Sequence, residues 1–549
     1  MKKRCSKTVP VCAPRKLGAI YTATALALVA SNVSAVEIDF GNPDIKSRFD
    51  NTVRYNLGVR AQKQDSAITN TPGFANSDLK FDRGDVITNR LDVISEFDFA
   101  YQENVGFRVS AQTWYDDAYK DVKEVTNPNL PNSSAYPGEH YTGYVKRWNR
   151  GPSAEFLDAF VFKQFEVGDV SGGVKLGSHN LYWGESLFSF IHGVSNSQGP
   201  VDIRKAVANP GTEAKELFKP LNQVSVTTNL TKTFSLSGQY LLDWKPSTLP
   251  DGGTYFGSSD FVTQGGGTVL PGGLPFVGIN NRPNDRGDWG LAARWSPDWL
   301  QGTAGLYYRK YSDKLPQFAF SPDFSSLGLD YLDQRVELIG ASLSKNIGGI
   351  AFGAEVNHRK NTGLLGGGAT TLGQEPIGDT WHGLINAVAY VGQTPLFDSM
   401  PVLAEVTYSR LDKVRKNAAN FNSVDYGCAN VEADMGCATK DAWGLAIRVE
   451  PKWYRVLDGV DLSMPLFYSV GLKGNSPVVF GGNEGAGSYS AGVTADIYNT
   501  HLVTLAYNGI MADHQTSVSP INGQKFVSDV RGAAQWDRGY VSLTYKTSF

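Results

Sequence analysis

The chain of 549 residues carries 51 bases against 54 acids, a formal net charge of −3, with 12% aromatic residues and a mean hydropathy of −0.26. An acidic balance disfavours nucleic acid as a partner. The mean hydropathy suits a soluble protein, but a porin-type barrel has the same bland average, because lumen and lipid faces alternate residue by residue and cancel in any window.

The first segment is for export. Lys2, Lys3, Arg4, Lys7, Arg15 and Lys16 precede an apolar, alanine-rich stretch from Leu17 to Ala30, and Val33, Ser34 and Ala35 offer small residues for cleavage. This pattern reads as a secretory signal peptide over 1–35, leaving 36–549 as the mature domain. The apolar stretch is well short of the ~20 residues a spanning helix needs. Loss of the six cations leaves 45 bases and a net charge near −9. Cys5 and Cys12 leave with the signal, before the cleavage point, so a lipid anchor is not expected.

Beyond residue 36 the dominant signal has a period of two. Phe49, Val53, Tyr55, Leu57 and Val59 alternate with Arg48, Asp50, Thr52, Arg54, Asn56 and Arg60. Leu91, Val93, Phe97 and Phe99 alternate with Arg90, Asp92, Glu96 and Asp98, and Val105, Phe107 and Val109 with Arg108 and Ser110. A packed core would not accept those polar rows, whereas a water-filled lumen would. Arg54, Arg90, Asp92, Glu96, Asp98 and Arg108 are therefore expected to face the lumen.

Such segments number about eighteen, at 47–60, 87–101, 105–116, 155–167, 172–181, 222–230, 234–244, 287–296, 301–312, 334–345, 350–359, 380–393, 401–411, 441–453, 463–473, 486–498, 501–508 and 539–549. Tight connections such as 102–104, 168–171, 231–233, 346–349 and 499–500 alternate with long ones. The expected fold is all-β: a transmembrane antiparallel barrel of about 16–18 strands with short periplasmic turns and long extracellular loops. A soluble sandwich or propeller shares the turn signals but not the sorting of loop lengths.

The loop at 182–221 stands apart. It opens on Trp183, Gly184, Glu185, Ser186, and its stretches Asp202 to Ala208 and Thr212 to Phe218 favour short helices, with Asp202 and Thr212 as caps. It is expected to fold inward and constrict the lumen through Trp183, Glu185, Asp202 and Arg204. Ser186 with His179 and His192 invites a hydrolase reading, but the spacing lacks a nucleophile elbow, so no enzyme is expected. Gly265 to Gly267 and Gly272, Gly273 lack the lysine and helix of a phosphate cradle. Asp116, Asp117 and Glu124 lack calcium-loop spacing, so no metal or other cofactor is expected. Cys428 and Cys437, close together in an expected outer loop, read as one disulfide in an oxidising compartment.

The chain ends on the alternating segment Tyr540 to Phe549. It resembles the closing strand of bacterial outer-membrane proteins, whose terminal aromatic is read by the barrel-assembly machinery, which implies that role for Tyr545 and Phe549; Thr547 departs from the pattern. The runs at Trp183–Ser186, Pro200–Asp202, Pro210–Glu216, Asp243–Pro246, Gly340–Ser342 and Asp537–Tyr540 resemble, in order, the domain-of-unknown-function family 1302 of Gram-negative outer-membrane barrels. Ser178 and His179 stand where that family favours Arg and Gln. Its members often accompany catabolic genes for hydrophobic compounds, so the resemblance implies an outer-membrane location and transport. The expected function is a channel for small hydrophobic or carboxylated organic compounds, with lipid, assembly machinery and solute as partners and a monomer as the expected state. The rival readings are a non-transport envelope component docking a periplasmic lipid carrier, and an outer-membrane lipase or esterase.

Overall fold

The computed structural model describes residues 36–122, 125, 127, 130, 134–138, 140–212, 214–428 and 436–549. The expected signal peptide at 1–35 and Glu124 lie outside the described residues.

The chain forms a closed antiparallel barrel of 18 strands: β1 Ile45–Arg60, β2 Val86–Tyr101, β3 Val105–Asp116, β4 Ser153–Val167, β5 Val170–His179, β6 Leu221–Asn229, β7 Phe234–Leu241, β8 Trp289–Trp295, β9 Gly302–Ser312, β10 Arg335–Ile347, β11 Ile350–Gly363, β12 Ile377–Val391, β13 Met400–Lys416, β14 Asp441–Val449, β15 Leu466–Lys473, β16 Gly487–Ile497, β17 His501–Met511 and β18 Tyr540–Ser548. Each strand pairs with its sequence neighbours, and β18 closes on β1 from Thr52↔Ser548 to Arg60↔Tyr540. Closure leaves no unpaired edge, the condition for crossing lipid with strands. The count lies at the upper end of the expected range, and each expected segment overlaps one strand.

The connections sort by rim. One rim carries the turns 102–104, 168–169, 230–233, 296–301, 348–349, 392–399 and 498–500. Gly348 and Gly349 there have φ of 60° and 85°, the conformation a two-residue hairpin turn requires. The exception is 450–465, which carries an extra hairpin, Lys452–Leu457 and Val460–Ser463. The other rim carries nine long loops.

The outer face is apolar and open. Leu306 on β9 is 66% exposed and Ile385 on β12 63% exposed, with Leu291 and Ile339 similarly uncovered. Tyr240, Trp381 and Trp443 ring this belt near the long-loop rim, and Tyr101, Trp295 and Tyr468 near the short-turn rim. An apolar band between two aromatic girdles is the surface that a bilayer covers. Among the described residues no helix is long and apolar enough to cross a membrane.

The long loops close the mouth over a buried charge cluster. Arg60 at the end of β1 pairs with Asp78 at 2.7 Å and Asp537 at 3.1 Å. Arg538 donates to the carbonyls of Tyr255 and Gly257 at 2.8 and 2.7 Å. Loops β1–β2, β7–β8 and β17–β18 are thereby joined, and Tyr540 packs edge-on against Phe256 below them. Cys428 and Cys437 form a disulfide in the loop between β13 and β14.

Ile385→Lys places a charge against lipid and is expected to destabilise the barrel by about 2–4 kcal/mol in vesicle unfolding titrations. The same change at lumen-facing Ser490 on β16 is expected to cost less than about 1 kcal/mol.

Candidate functional site

The loop between β5 and β6 turns into the lumen. Its ends are adjacent, because His179 and Leu221 are the last paired residues of the two strands. Its backbone therefore leaves the sheet and must find partners elsewhere, and the inner wall supplies them.

The first arm, 181–198, lies against β8 to β13. Trp183 fills the space beside Gly290, where a Cβ would meet the indole at 2.8 Å, and packs with Val194, Tyr307, Tyr311 and Leu338. Glu355 on β11 accepts the N–H groups of Glu185, Ser186 at 3.0 Å and Val194 at 2.6 Å. Glu405 on β13 accepts those of Leu187, Phe188 and Ser189 at 2.7, 3.2 and 2.7 Å. Gly184 has φ +97°, and a side chain there would strike the Glu355 carboxylate at 2.2 Å, which explains glycine in this run. Guanidinium groups take the carbonyls: Arg309 donates to Val194 and Asn196 at 2.8 and 2.7 Å, and Arg359 to Gly193 at 3.0 Å. His192 and His382 on β12 meet through their Nδ1 atoms at 3.0 Å, and His192 Nε2 donates to the Gly481 carbonyl at 2.9 Å.

The second arm, 202–218, lies against β1 to β4 and uses side chains. Asp202 caps the helical turn Ile203–Ala208 through the N–H of Lys205 at 3.0 Å and pairs with Arg204 at 3.0 Å. Burial alone would raise the Asp202 carboxyl, but Arg204, Lys219 and Lys205, with the capping N–H, outweigh it and hold the group at about 2. Lys205 donates to Gln112 on β3 at 2.7 Å and to Glu155 on β4. Lys215 donates to Glu96 on β2. Glu216 takes the Arg54 guanidinium through both oxygens at 2.7 and 2.8 Å, with Asp92 at 3.5 Å behind it. The second arm is closed at its base by Asp202 N–H to Leu217 O at 2.7 Å and Lys219 N–H to Pro200 O at 2.8 Å.

Two cavities flank the seated loop. One of about 420 Å³ lies between the first arm and β13 to β16, walled by Phe188, Phe190, Ile203, Phe467 and Phe480. The other, about 340 Å³, lies beside β3 to β5 and includes Phe160, Lys175, Tyr182 and Phe218. Phe190 and Phe218 meet edge-on between them, ring centroids 6.3 Å apart.

A family model described as "Protein of unknown function (DUF1302)" matches residues 16–549. The chain belongs to this family. No curated protein matches it. Among solved structures it is similar to OccAB2 of Acinetobacter baumannii, at 10% identity over 92% of this chain and 98% of that one, with a TM-score of 0.41. It is also similar to a BenF-like porin from Pseudomonas fluorescens Pf-5, at 10% identity over 92% and 99% and a TM-score of 0.40. A third is OmpF of Salmonella typhi, at 9% identity over 94% and 100% and a TM-score of 0.37.

Arg54, Arg90, Asp92, Glu96, Asp98 and Arg108 all stand on the inner face, but Arg54, Arg90, Asp92 and Glu96 are buried, Arg54 and Glu96 bonding the second arm and Arg90 pairing with Asp92 on the wall, while Asp98 and Arg108 stay partly open. Trp183, Asp202 and Arg204, expected to constrict the lumen, are buried in the seat of the loop, where each satisfies a wall or loop partner. Glu185 is partly open and faces Arg294 at 3.6 Å. The Thr212 hydroxyl donates back to the Asn209 carbonyl at 2.6 Å. Both ring nitrogens of His179 are engaged, by Gly177 O and Ser225 Oγ at 3.0 and 2.7 Å, as are those of His192, so neither is bonded to Ser186. Asp116 accepts the N–H groups of Asn89 and Ala118 at 2.9 and 3.0 Å as a local cap. Tyr545 bonds His501 at 2.9 Å on the outer face, and Phe549 exchanges backbone hydrogen bonds with Asn51. Sequence reasoning missed Glu355, Glu405, Arg309 and Arg359, although each occupies an inward position in an alternating strand.

Arg54→Met is expected to destabilise the protein by about 3–5 kcal/mol by leaving the buried Glu216 carboxylate without its guanidinium, and Glu216→Met in the same chain should restore much of the loss in a double-mutant unfolding cycle.

Burial first, then the charge of Arg359, holds the His192 imidazole down at about 4 against the opposing hydrogen bond to Gly481, from an ordinary value of 6.5. The unlocked loop therefore binds a proton that the seated loop refuses, and the seat weakens as pH falls from about 6.5 towards 4. Exchange protection of 186–196, corrected for intrinsic rates, should fall across that window and stay level above it.

Proposed function

We propose that the protein is an outer-membrane channel for small hydrophobic or carboxylated organic compounds, with the loop at 180–220 as its constriction. The observation that carries this reading is the cavity of about 420 Å³ walled by aromatic and aliphatic side chains inside a lumen whose wall is otherwise largely polar or charged. A passage for ions or sugars has no use for such a surface, which water wets poorly. The wall opposite the loop is made of small residues, Ala442, Gly444, Ala446 and Gly471, which leave room for a solute, and Thr407, Ser469 and Ser488 place hydroxyls around it. A ring compound burying ~100 Å² of apolar surface there gains about 2.5 kcal/mol, enough to enter and little enough to leave. In this mechanism the charged wall fixes the loop, and the loop presents apolar side chains to the solute.

A second reading, docking of a periplasmic carrier, has one observation in its favour. The extra hairpin at 452–463 projects from the short-turn rim with Tyr454 and Leu457 exposed beside Leu396 and Tyr498. That surface also suits the headgroup interface of the bilayer, so the channel reading is preferred.

Because His179 and Leu221 are paired neighbours, 183–218 can be replaced by a short turn without changing strand register. In planar bilayers the intact protein is expected to show discrete conductance that rises severalfold after the replacement. Silence in both forms would remove the channel reading.

A further inference from the structure

We infer that the cavity of about 340 Å³ on the periplasmic side of the loop is a binding site for a planar organic monocarboxylate, its carboxylate on Lys175 and its ring among Phe160, Tyr182 and Phe218. This deepens the channel reading and rests on it for the route by which the solute arrives.

The cations of this cavity are not equivalent. Arg108 is held by Glu96 and stands 3.5 Å from both Asp98 and Asp158. Lys215 is held by Glu96. His179 has both nitrogens engaged. Lys175 differs: it is exposed to the lumen, and among the described residues no carboxylate lies within ion-pair distance of its amine. The nearest acid in the cavity, Asp158, is shared with Arg108. The Lys175 amine stands 5.0 Å from the centroid of Phe160, a contact that orients a cation without neutralising it. A carboxylate placed there completes a charge-assisted hydrogen bond that the wall leaves open.

The rings define the rest of the ligand. Phe160 is braced by His179 at 5.5 Å, and Tyr182 by Phe218 at 4.2 Å, so the aromatic faces are fixed before anything binds. Phe218 continues edge-on to Phe190, which walls the apolar cavity on the other side. An apolar ring can thus pass along aromatic surface from one cavity to the other and meet Lys175 only as it leaves the first. Arg108 and Lys215, the other cations of the lining, are already committed to Glu96, Asp98 and Asp158, so a second carboxylate or a phosphate would be desolvated beside Asp158 with no free cation to meet it.

The test is equilibrium binding by fluorine NMR to the full chain in detergent micelles, with 4-fluorobenzoate, 4-fluorobenzyl alcohol and 4-fluorophthalate as probes. The benzoate should bind at least about tenfold more tightly than the alcohol or the phthalate, a difference of the size one charge-assisted hydrogen bond supplies. Lys175→Met should weaken the benzoate by about tenfold and leave the alcohol within about twofold, and Lys175→Arg should retain the benzoate. Equal affinity for benzoate and alcohol, no benzoate binding, or an unchanged benzoate affinity in Lys175→Met would each overturn the site. A barrel that binds benzoate through Lys175 yet stays silent in bilayers would keep the site and remove the channel.

Discussion

The structure depends on how a loop satisfies its backbone inside a barrel. Strands close their own hydrogen bonds, but 180–220 has left the sheet, and each of its N–H and C=O groups needs a partner in the lumen. On one side the partners are charged wall side chains: Glu355 and Glu405 accept N–H groups, and Arg309 and Arg359 donate to carbonyls. On the other side the partners are ion pairs between loop and wall, Arg54 with Glu216 and Lys205 with Glu155. Charged acceptors and donors make these bonds stronger than neutral ones, and removing one partner strands the other. The loop is accordingly held at both ends of its path, by two different chemistries.

That use of the wall determines what a solute meets. In an open porin, rows of inward charges such as Arg54, Arg90 and Asp92 would set ion selectivity. Here they lie beneath the loop, so their field is largely cancelled at short range by their partners. The surfaces left over are the side chains the loop does not need for its own mounting: Phe188, Phe190 and Tyr182, and the wall residues opposite them. Mounting and recognition are divided between polar and apolar residues of one segment.

Much of the barrel was legible because a period of two is strict: once Val53, Tyr55 and Leu57 point to lipid, Arg54 and Asn56 can only point inward. The sorting of turns and loops fixed the strand count almost as well. The seat of the loop was less legible, since it joins Glu185 to Glu355 and Leu187 to Glu405, partners far apart in sequence that no local pattern brings together. Asp202 could be read as a cap, because capping is local. Its burial could not, nor could the burial of Arg204, which requires the loop 242–288 and Asp251 at 3.7 Å. The inward acids of β11 and β13 were visible as Glu355 and Glu405, but an inward acid reads the same whether water or a peptide N–H fills its lone pairs.

The choice between arginine and lysine follows the same logic. Arg309 bridges two carbonyls of the first arm, and Arg538 at the mouth bridges two carbonyls of the loop between β7 and β8. Arg60 likewise spans the carbonyls of Asp78 and Phe81 at 3.0 and 2.9 Å. In each case the two N–H bonds of one Nη1, fixed in the guanidinium plane, hold both carbonyls in set relation, which a freely rotating ammonium does not, so arginine suits these positions. Lysine appears where one acid is to be met, as at Lys205 and Lys215. Lys175 has the chemistry of that second group without the acid. In a lumen where the buried cations hold the scaffold, an exposed, uncommitted ammonium beside an aromatic ring is the group free to meet something that is not part of the chain.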